Sequence, residues 1–256
     1  FSEKTYAEID LEKMIREIIF ARDRMDPSQI ASNLRPEAQA MEKLGIRVGV
    51  APHDDSEQLF YRGYIMHDQS EYPDDPRFIQ GWREYETMTR MSKTYPLIED
   101  ISIPTFFVDE LDYTVEKQIT DRGWDRAFIK NEEKSLWNEG EFASVWPDNT
   151  IETLCRKYQA LPYKGVFAVR KFMNPELFFE EERYWVILGQ VYHRTGIIPD
   201  IVKTAVERLS VLRCHYYTID AIPGLIVEVN SGEASDRMGV NSPELFSEWW
   251  RVAFKQ

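Results

Sequence analysis

The sequence predicts a mixed α/β (α+β) fold, because helix-type and strand-type patterns of apolar residues alternate along the chain. Some segments place apolar residues three and four positions apart between charges, and others are short runs rich in Val, Ile, Phe and Tyr. No internal repeat or low-complexity tract interrupts this alternation. The 256 residues, 43% of them hydrophobic, are enough for the core of one large domain or two modest ones.

The first part of the chain predicts a small leading α/β domain. Residues 8–24 are predicted to be helical, because their apolar residues recur at helical spacing between charges. Strands are predicted over 44–52 and 58–66, and a helix over 75–93. Two prolines, Pro96 and Pro104, then break the helical pattern. We therefore predict that the leading domain covers residues 1–109.

The remainder, residues 110–256, predicts a second α+β domain that follows the strand over 102–110. Its predicted helices cover 111–123, 148–161 and 199–212, and its predicted strands cover 126–131, 165–172, 183–193, 216–222 and 225–230. A terminal helix with the pair Trp249 and Trp250 is expected to pack against the body of the protein or against a partner. The sequence does not indicate an oligomeric state.

Composition excludes several classes of partner. The formal net charge of -13 argues against nucleic acid or an anionic membrane as the main partner, because both favour Lys and Arg. The only two cysteines, Cys155 and Cys214, lie too far apart in sequence to suggest a zinc site or a disulfide framework. No signal-peptide core and no apolar run of membrane-spanning length occurs. We therefore expect a cytoplasmic protein.

The segment IVEVNSG (226–232) carries two polar side chains on an otherwise apolar strand. Glu228 and Asn230 share one face, because residues two apart on a strand point the same way. The turn at Pro223-Gly224 predicts a hairpin that brings Asp220 across from them. Three oxygen ligands from paired strands suit one or two Mg²⁺ ions. Two alternatives are that Glu228 and Asn230 pair with a buried cation, and that this is an edge strand whose polar face meets water.

Three further segments carry candidate binding residues. FIKNEEKS (128–135) ends a strand at Lys130 and places Lys134 four residues later, where both lysines can contact phosphates or simply face solvent. The strand FAVRKFMNP (167–175) stops at an Asn-Pro turn and can offer backbone groups to a planar base, or it is a plain strand end. Glu181 and Arg183 share a face, so the glutamate can hold the arginine toward a phosphate, or the two form a surface ion pair.

Taken in order, these pieces resemble the ATP-grasp superfamily of carboxylate–amine ligases over roughly residues 110–241. More narrowly, YRG (61–63), the strand lysine and EEERYWVILGQV resemble the clade named for a conserved arginine and two lysines. The resemblance implies two α+β lobes that grip ATP, a hinge near 170–174, and a small α/β domain before the grasp. Two departures are the glycine-poor loop after Lys130 and the Arg-Lys pair where the family often has Gln-Glu at the hinge.

The resemblance also implies roles for individual residues. Lys130 and Lys134 would bind the phosphates, and Arg183, with Lys134, would act on the transferred phosphoryl group. The other implied nucleotide-binding residues are Val169, Lys171, Phe172, Met173 and Glu181, and the implied Mg²⁺ ligands are Asp220, Glu228 and Asn230. Arg62 is a candidate for the substrate carboxylate, and its alternative is a surface or salt-bridged arginine.

The implied activity is ATP-dependent joining of a carboxylate to an amine through an acyl phosphate, with ADP and phosphate released. The substrate would be a small molecule, a peptide or a protein side chain. Two alternatives stay open, namely a nucleotide-binding regulatory module without turnover and a kinase of a small molecule. We further expect Asp220 and Glu228 to repel each other without Mg²⁺ and to loosen their hairpin.

Overall fold

The computed structural model describes residues 16–64, 66, 68–132, 144–160, 166–235, 237 and 242–255. Its strands form three sheets, a parallel one near the start of the chain and two antiparallel ones after it. No helix in these ranges is long and apolar enough to cross a membrane. The two antiparallel sheets supply the polar residues of the candidate site.

The leading sheet is parallel, in the order β2 (Arg47–Gly49), β1 (Arg16–Phe20), β3 (Gln58–Arg62). The helix predicted over 8–24 is therefore wrong for residues 16–20, while residues 8–15 lie outside the described ranges. All five residues of β1 are buried between two neighbouring strands. Sequence spacing cannot distinguish such a short buried strand from part of a helix.

Helix α1 (Arg35–Lys43) connects β1 to β2 and covers the leading sheet. The helix predicted over 75–93 is two helices, α2 (Trp82–Thr89) and α3 (Met91–Ile98), separated by the extended backbone of Arg90. Helix α2 begins only at Trp82, because the Glu84 carboxylate accepts the N–H of Gly81, 3.0 Å away, and caps the helix there.

The second sheet is antiparallel, in the order β4 (Thr105–Val108), β7 (Phe167–Lys171), β5 (Ala127–Asn131), β6 (Val145–Trp146). Helices α4 (Tyr113–Asp121) and α5 (Ile151–Gln159) cover one face with an apolar core that includes Ile129 and Val169. Strand alternation places Lys130 and Arg170 on the other face. Strand β4 lies before residue 109, the predicted end of the leading domain, but it belongs to the second sheet. The domain boundary at residue 109 stays a prediction.

The third sheet is antiparallel, in the order β11 (Leu225–Ser231), β10 (Tyr216–Ile222), β8 (Glu182–Ile187), β9 (Gln190–Tyr192). The strand predicted over 183–193 is a hairpin, because Leu188 and Gly189 turn the chain with positive φ angles of 52° and 79°. Helix α6 (Asp200–Leu209) packs on one face of this sheet.

The terminal helix α7 (Pro243–Ala253) joins the leading sheet to the third sheet. It packs against α1, and its Trp250 contacts the rings of Phe60 in β3 and Tyr216 in β10, with centroids 5.0 and 4.8 Å apart. Trp249 and Trp250 are both buried in this shared core. The pair therefore packs against the body of the protein, which is one of its two predicted arrangements.

Candidate functional site

A row of charged side chains crosses three adjacent strands of the third sheet. Asp220 in β10 pairs in register with Arg183 in β8 on one side and with Glu228 in β11 on the other. The ladder confirms the predicted hairpin, which places Asp220 opposite Glu228. A register shift directly after Asp220 ends the regular pairing of β10 with β11 at this position. The row therefore lies where the sheet changes from regular to irregular pairing.

Arg183 and Asp220 form a bidentate ion pair. The guanidinium Nε and Nη2 donate to the two carboxylate oxygens at 2.7 and 2.6 Å. Asp220 is 1% exposed, so its charge depends on this partner for compensation. The sequence predicted that Glu181 would hold Arg183, whereas the bidentate partner is Asp220 on the neighbouring strand.

Lys130 and Glu228 connect the second sheet to the third. The Lys130 Nζ lies 2.9 Å from Glu228 Oε2, and the Asn230 amide donates to Glu228 Oε1 at 2.8 Å. Burial alone would raise the pKa of Glu228, but Lys130, Asn230 and Arg170 outweigh burial and hold that pKa below its ordinary value. Glu228 is therefore ionised at neutral pH and is held from both sides.

Arg170 is a second cation on the second sheet, and its side chain was not among the predicted site residues. Its Nη2 donates to the carbonyl of Val227, while its Nε has no acceptor among the described residues. Burial lowers the pKa of Arg170, and the nearby carboxylates of Glu228 and Glu181 oppose that change. The available signal was an arginine that follows three apolar residues of β7 and lies on the face opposite Val169.

Glu181 lies directly before β8, at the end of a short 3-10 helix over Pro175–Glu180. Burial and the negative charges of Asp220 and Glu228 raise its pKa to about 7, although Arg183 and Arg170 act in the opposite direction. Glu181 therefore shares one electrostatic environment with the paired carboxylates. Its predicted role in binding the nucleotide stays a prediction.

Part of the segment predicted to contact adenine already donates backbone hydrogen bonds within the protein. The N–H groups of Lys171 and Phe172 donate to the carbonyls of Pro104 and Arg126 at 2.8 and 3.2 Å. Of the three predicted hinge residues, only Met173 keeps an N–H without an acceptor in the part of the chain that the structure describes. Val169 faces the apolar core between the second sheet and its helices.

Met173 packs against a small apolar cluster that contains Ile103, Ile222 and Val227. This cluster brings together the start of β4, the end of β10 and β11. An apolar surface beside an available backbone N–H matches what a planar base requires. The geometry thus favours Met173 over the other predicted hinge residues for adenine contact.

The two remaining predicted site residues are Lys134 and Arg62. Lys134 lies outside the described residues. Arg62 is buried, donates to both oxygens of Glu37 at 2.8 and 3.2 Å, and donates to the carbonyls of Glu233 and Ser235. These contacts match the alternative in which Arg62 is a salt-bridged arginine. Binding a substrate carboxylate there stays a prediction and requires one of the contacts to open.

The donor set fits Mg²⁺ only in part. Asp220, Glu228 and Asn230 offer hard oxygen ligands, which Mg²⁺ prefers. The residues that the structure describes contain no cluster of three His, Cys, Asp or Glu side chains that could hold a metal by themselves. Mg²⁺ is commonly bound by one or two carboxylates together with substrate phosphates and water, so these residues fit an ion that arrives with a nucleotide.

Replacing Lys130 with alanine is expected to weaken ATP binding about 10- to 100-fold, on the order of one buried charge-assisted contact. Calorimetric titration with ATP and Mg²⁺ measures this change. Lys117→Ala is the matched control, because Lys117 makes an exposed pair with Asp121 on α4. Equal affinity of the Lys130 variant and the parent would mean that Lys130 serves only to neutralise Glu228.

No protein-family model and no curated protein matches this chain. Solved structures do match it. The D-cycloserine synthetase DcsG is 12% identical with a TM-score of 0.59, and the match covers 94% of this chain and 99% of that chain. The ATP-grasp ligase PsnB complexed with a minimal precursor is 10% identical with a TM-score of 0.57, covering 94% and 99%. A RimK domain ATP-grasp protein from Sphaerobacter thermophilus is 15% identical with a TM-score of 0.57, covering 91% and 98%.

Proposed function

We propose that this chain, which has the ATP-grasp fold predicted from its sequence, is an ATP-dependent ligase that joins a carboxylate to an amine. One observation carries the proposal. Cations from the second sheet, Lys130 and Arg170, meet the row of Arg183, Asp220 and Glu228 on the third sheet. This arrangement supports the proposal, because cations able to bind phosphates and carboxylates able to bind Mg²⁺ lie in contact with each other.

A metal–nucleotide complex would replace the ion pairs of the free protein with contacts to phosphates and to the metal. Lys130 holds Glu228, and Arg183 holds Asp220. When Mg²⁺ and ATP bind together, the two cations can turn to the phosphates while the two carboxylates turn to the metal. The number of compensated charges is the same before and after, so the buried charges do not lose their partners at either stage.

The reaction follows from these groups. A carboxylate oxygen of the substrate attacks the γ-phosphorus, the bond to the β-phosphate oxygen breaks, and ADP leaves with an acyl phosphate formed. The amine nitrogen then attacks the acyl carbon, phosphate leaves, and the nitrogen loses a proton. Lys130, Arg170 and Arg183 would stabilise the negative charge on the phosphoryl oxygens. One or two Mg²⁺ ions, held by Asp220, Glu228 and Asn230, would neutralise further charge.

The substrate class is narrowed by the structural neighbours but is not fixed by them. PsnB and the macrocyclase MdnC from Microcystis aeruginosa were each solved with a precursor, a precursor peptide in the case of MdnC, whereas DcsG is a D-cycloserine synthetase. We therefore include peptides and amino-acid-like small molecules among the substrates to be tested. Nucleic acid is not among them, because the net charge of -13 disfavours a polyanion.

A screen for ADP release tests the proposal. The protein is incubated with ATP and Mg²⁺, with pools of carboxylic acids, amines and short peptides added separately and together. We expect ADP and phosphate to appear only when a carboxylate is present, and a stable product only when an amine is present too. ADP formation without phosphate release would indicate a kinase, and ATP binding without ADP under every mixture would indicate a binding module.

A further inference from the structure

The leading sheet carries a cavity that has no part in the nucleotide site. Its volume is about 510 Å³, and it opens at the carboxyl ends of β1, β2 and β3. The chain leaves β1 for β2 on one side and then crosses to β3 on the other, so connections diverge at this edge. Ligands of open parallel sheets bind at such a divergence, and this volume suits a small molecule.

Three aromatic rings form one wall of the cavity. Tyr61, Tyr72 and Phe78 contact one another with ring centroids 5.9, 6.5 and 6.2 Å apart and planes inclined by 54° to 81°. The Tyr72 hydroxyl donates to the carbonyl of Gln80 at 2.6 Å and lies 3.2 Å from Glu233, so its ring is fixed in place. Rings held at steep angles present both faces and edges to a ligand.

The charged residues around the cavity are mostly acidic. Glu71, Asp74 and Asp75 line it, and Arg22 is the only cation among its described lining residues. Asp75 pairs with Arg77 at 2.7 Å, and Glu71 and Asp74 are exposed at the opening of the cavity. Burial, with Tyr64, Glu233 and Glu71 nearby, raises the pKa of Tyr61 to about 12, as expected for a phenol in a negative potential.

The arrangement suits an organic cation better than a metal ion. No three acidic, His or Cys side chains among the described residues are placed to hold a metal, so the carboxylates surround the opening rather than converge on one point. Aromatic faces attract ammonium groups, and they also cover the apolar part of a ligand. The net charge of -13 would further concentrate cations near the protein.

The cavity is also close to the proposed metal ligands. Glu233 contacts Tyr72 of the aromatic wall and lies three residues after Asn230. Three residues span at most about 10 Å, so the Cα atoms of Asn230 and Glu233 lie within that distance of each other. We propose that this cavity binds an organic ammonium ion carried on an apolar body and that, if the proposed function holds, this compound is the amine-bearing substrate.

Calorimetry with two matched probes tests the inference. 2-Phenylethylamine carries an ammonium group at neutral pH, and 2-phenylethanol replaces that group with a neutral hydroxyl. We expect the amine to bind at least about tenfold more tightly than the alcohol. The double variant Glu71→Gln, Asp74→Asn should lose most of that difference while binding the alcohol as the parent does. Equal binding of the two probes, or no binding of either, would overturn the inference.

A charge-matched control separates the cavity from the overall charge. Asp109→Asn, Glu110→Gln removes two exposed carboxylates from the turn before α4, and it should leave amine binding unchanged. If it weakens amine binding as much as the cavity variant does, the cavity is not the site. If the protein forms ADP but binds the two probes equally, the proposed cation site is wrong and the ligase proposal still holds. If the protein binds the amine but not ATP, the ligase proposal is wrong and the proposed cation site still holds.

Discussion

Replacing Glu228 with glutamine is expected to lower ADP formation by at least about 100-fold, as removal of one charge-stabilising group in a closed site does elsewhere. Glutamine keeps the shape and one acceptor oxygen but removes the negative charge that would bind Mg²⁺. In the free protein the same charge compensates Lys130 and Arg170. The rate is measured with saturating ATP, Mg²⁺ and the substrates found in the screen, well below the melting temperature of the variant.

The same variant has a second expected property that a merely destabilised protein would not show. With Glu228 neutral, Lys130 is released toward the phosphates, so ATP should bind without Mg²⁺ at least as well as it does to the parent. Glu207→Gln, an exposed change on α6, is the control and should alter neither measurement. Near-normal turnover by Glu228→Gln would remove Glu228 from the metal site.

Mg²⁺ and a non-hydrolysable ATP analogue together are expected to raise the melting temperature more than the sum of their separate effects. At a concentration of about 100 times Kd, binding to the folded state adds about 2.7 kcal/mol, or roughly 5–11 °C for a chain of this size. The free structure explains the cooperativity. Each carboxylate is held by a cation, so Mg²⁺ alone would break these ion pairs without supplying phosphates to Arg183 and Lys130. ATP alone would break them without supplying a metal to Asp220 and Glu228.

Asp220→Asn should remove most of the extra rise in melting temperature. Each rise is measured from the melting temperature of the same protein in buffer. That starting temperature is expected to fall as well, because the variant leaves Arg183 nearly buried without its bidentate partner. Asp100→Asn is the matched control, since it breaks an exposed pair with Arg208. Independent effects of metal and nucleotide, or a variant that responds like the parent, would contradict the shared site.

The sequence predicts that Asp220 and Glu228 repel each other without Mg²⁺ and loosen their hairpin; this stays a prediction, although the structure pairs each carboxylate with a cation. The sequence predicted the two carboxylates and their shared position through the alternation of IVEVN and the turn at Pro223-Gly224. A buried cation was one predicted partner for Glu228 and Asn230, but the sequence could not identify Arg183 and Lys130 as the cations, because those partners come from a different strand and a different sheet. Short-range pattern defines which face a residue occupies, whereas contacts between elements depend on the whole fold.

Other differences have the same origin. The sequence predicts a helix where β1 lies, because the burial of β1 between β2 and β3 depends on those strands rather than on its own pattern. The sequence shows Arg170 only as a departure from the family pattern at the hinge. Its position near Glu228 could not be predicted, because it depends on how β7 and β11 approach each other. Turn chemistry and strand alternation, by contrast, were sufficient to predict the hairpin of β10 and β11.

Transfer of labelled oxygen tests the central claim, activation of a carboxylate by ATP at this site, most directly. The acid identified in the screen is prepared with ¹⁸O in its carboxylate and incubated with the protein, ATP, Mg²⁺ and the amine. An acyl phosphate carries one carboxylate oxygen to phosphorus, so we predict one ¹⁸O atom in each phosphate released, by mass spectrometry. Unlabelled phosphate at full turnover would contradict the account, because ATP would then be consumed without forming a bond to the substrate carboxylate.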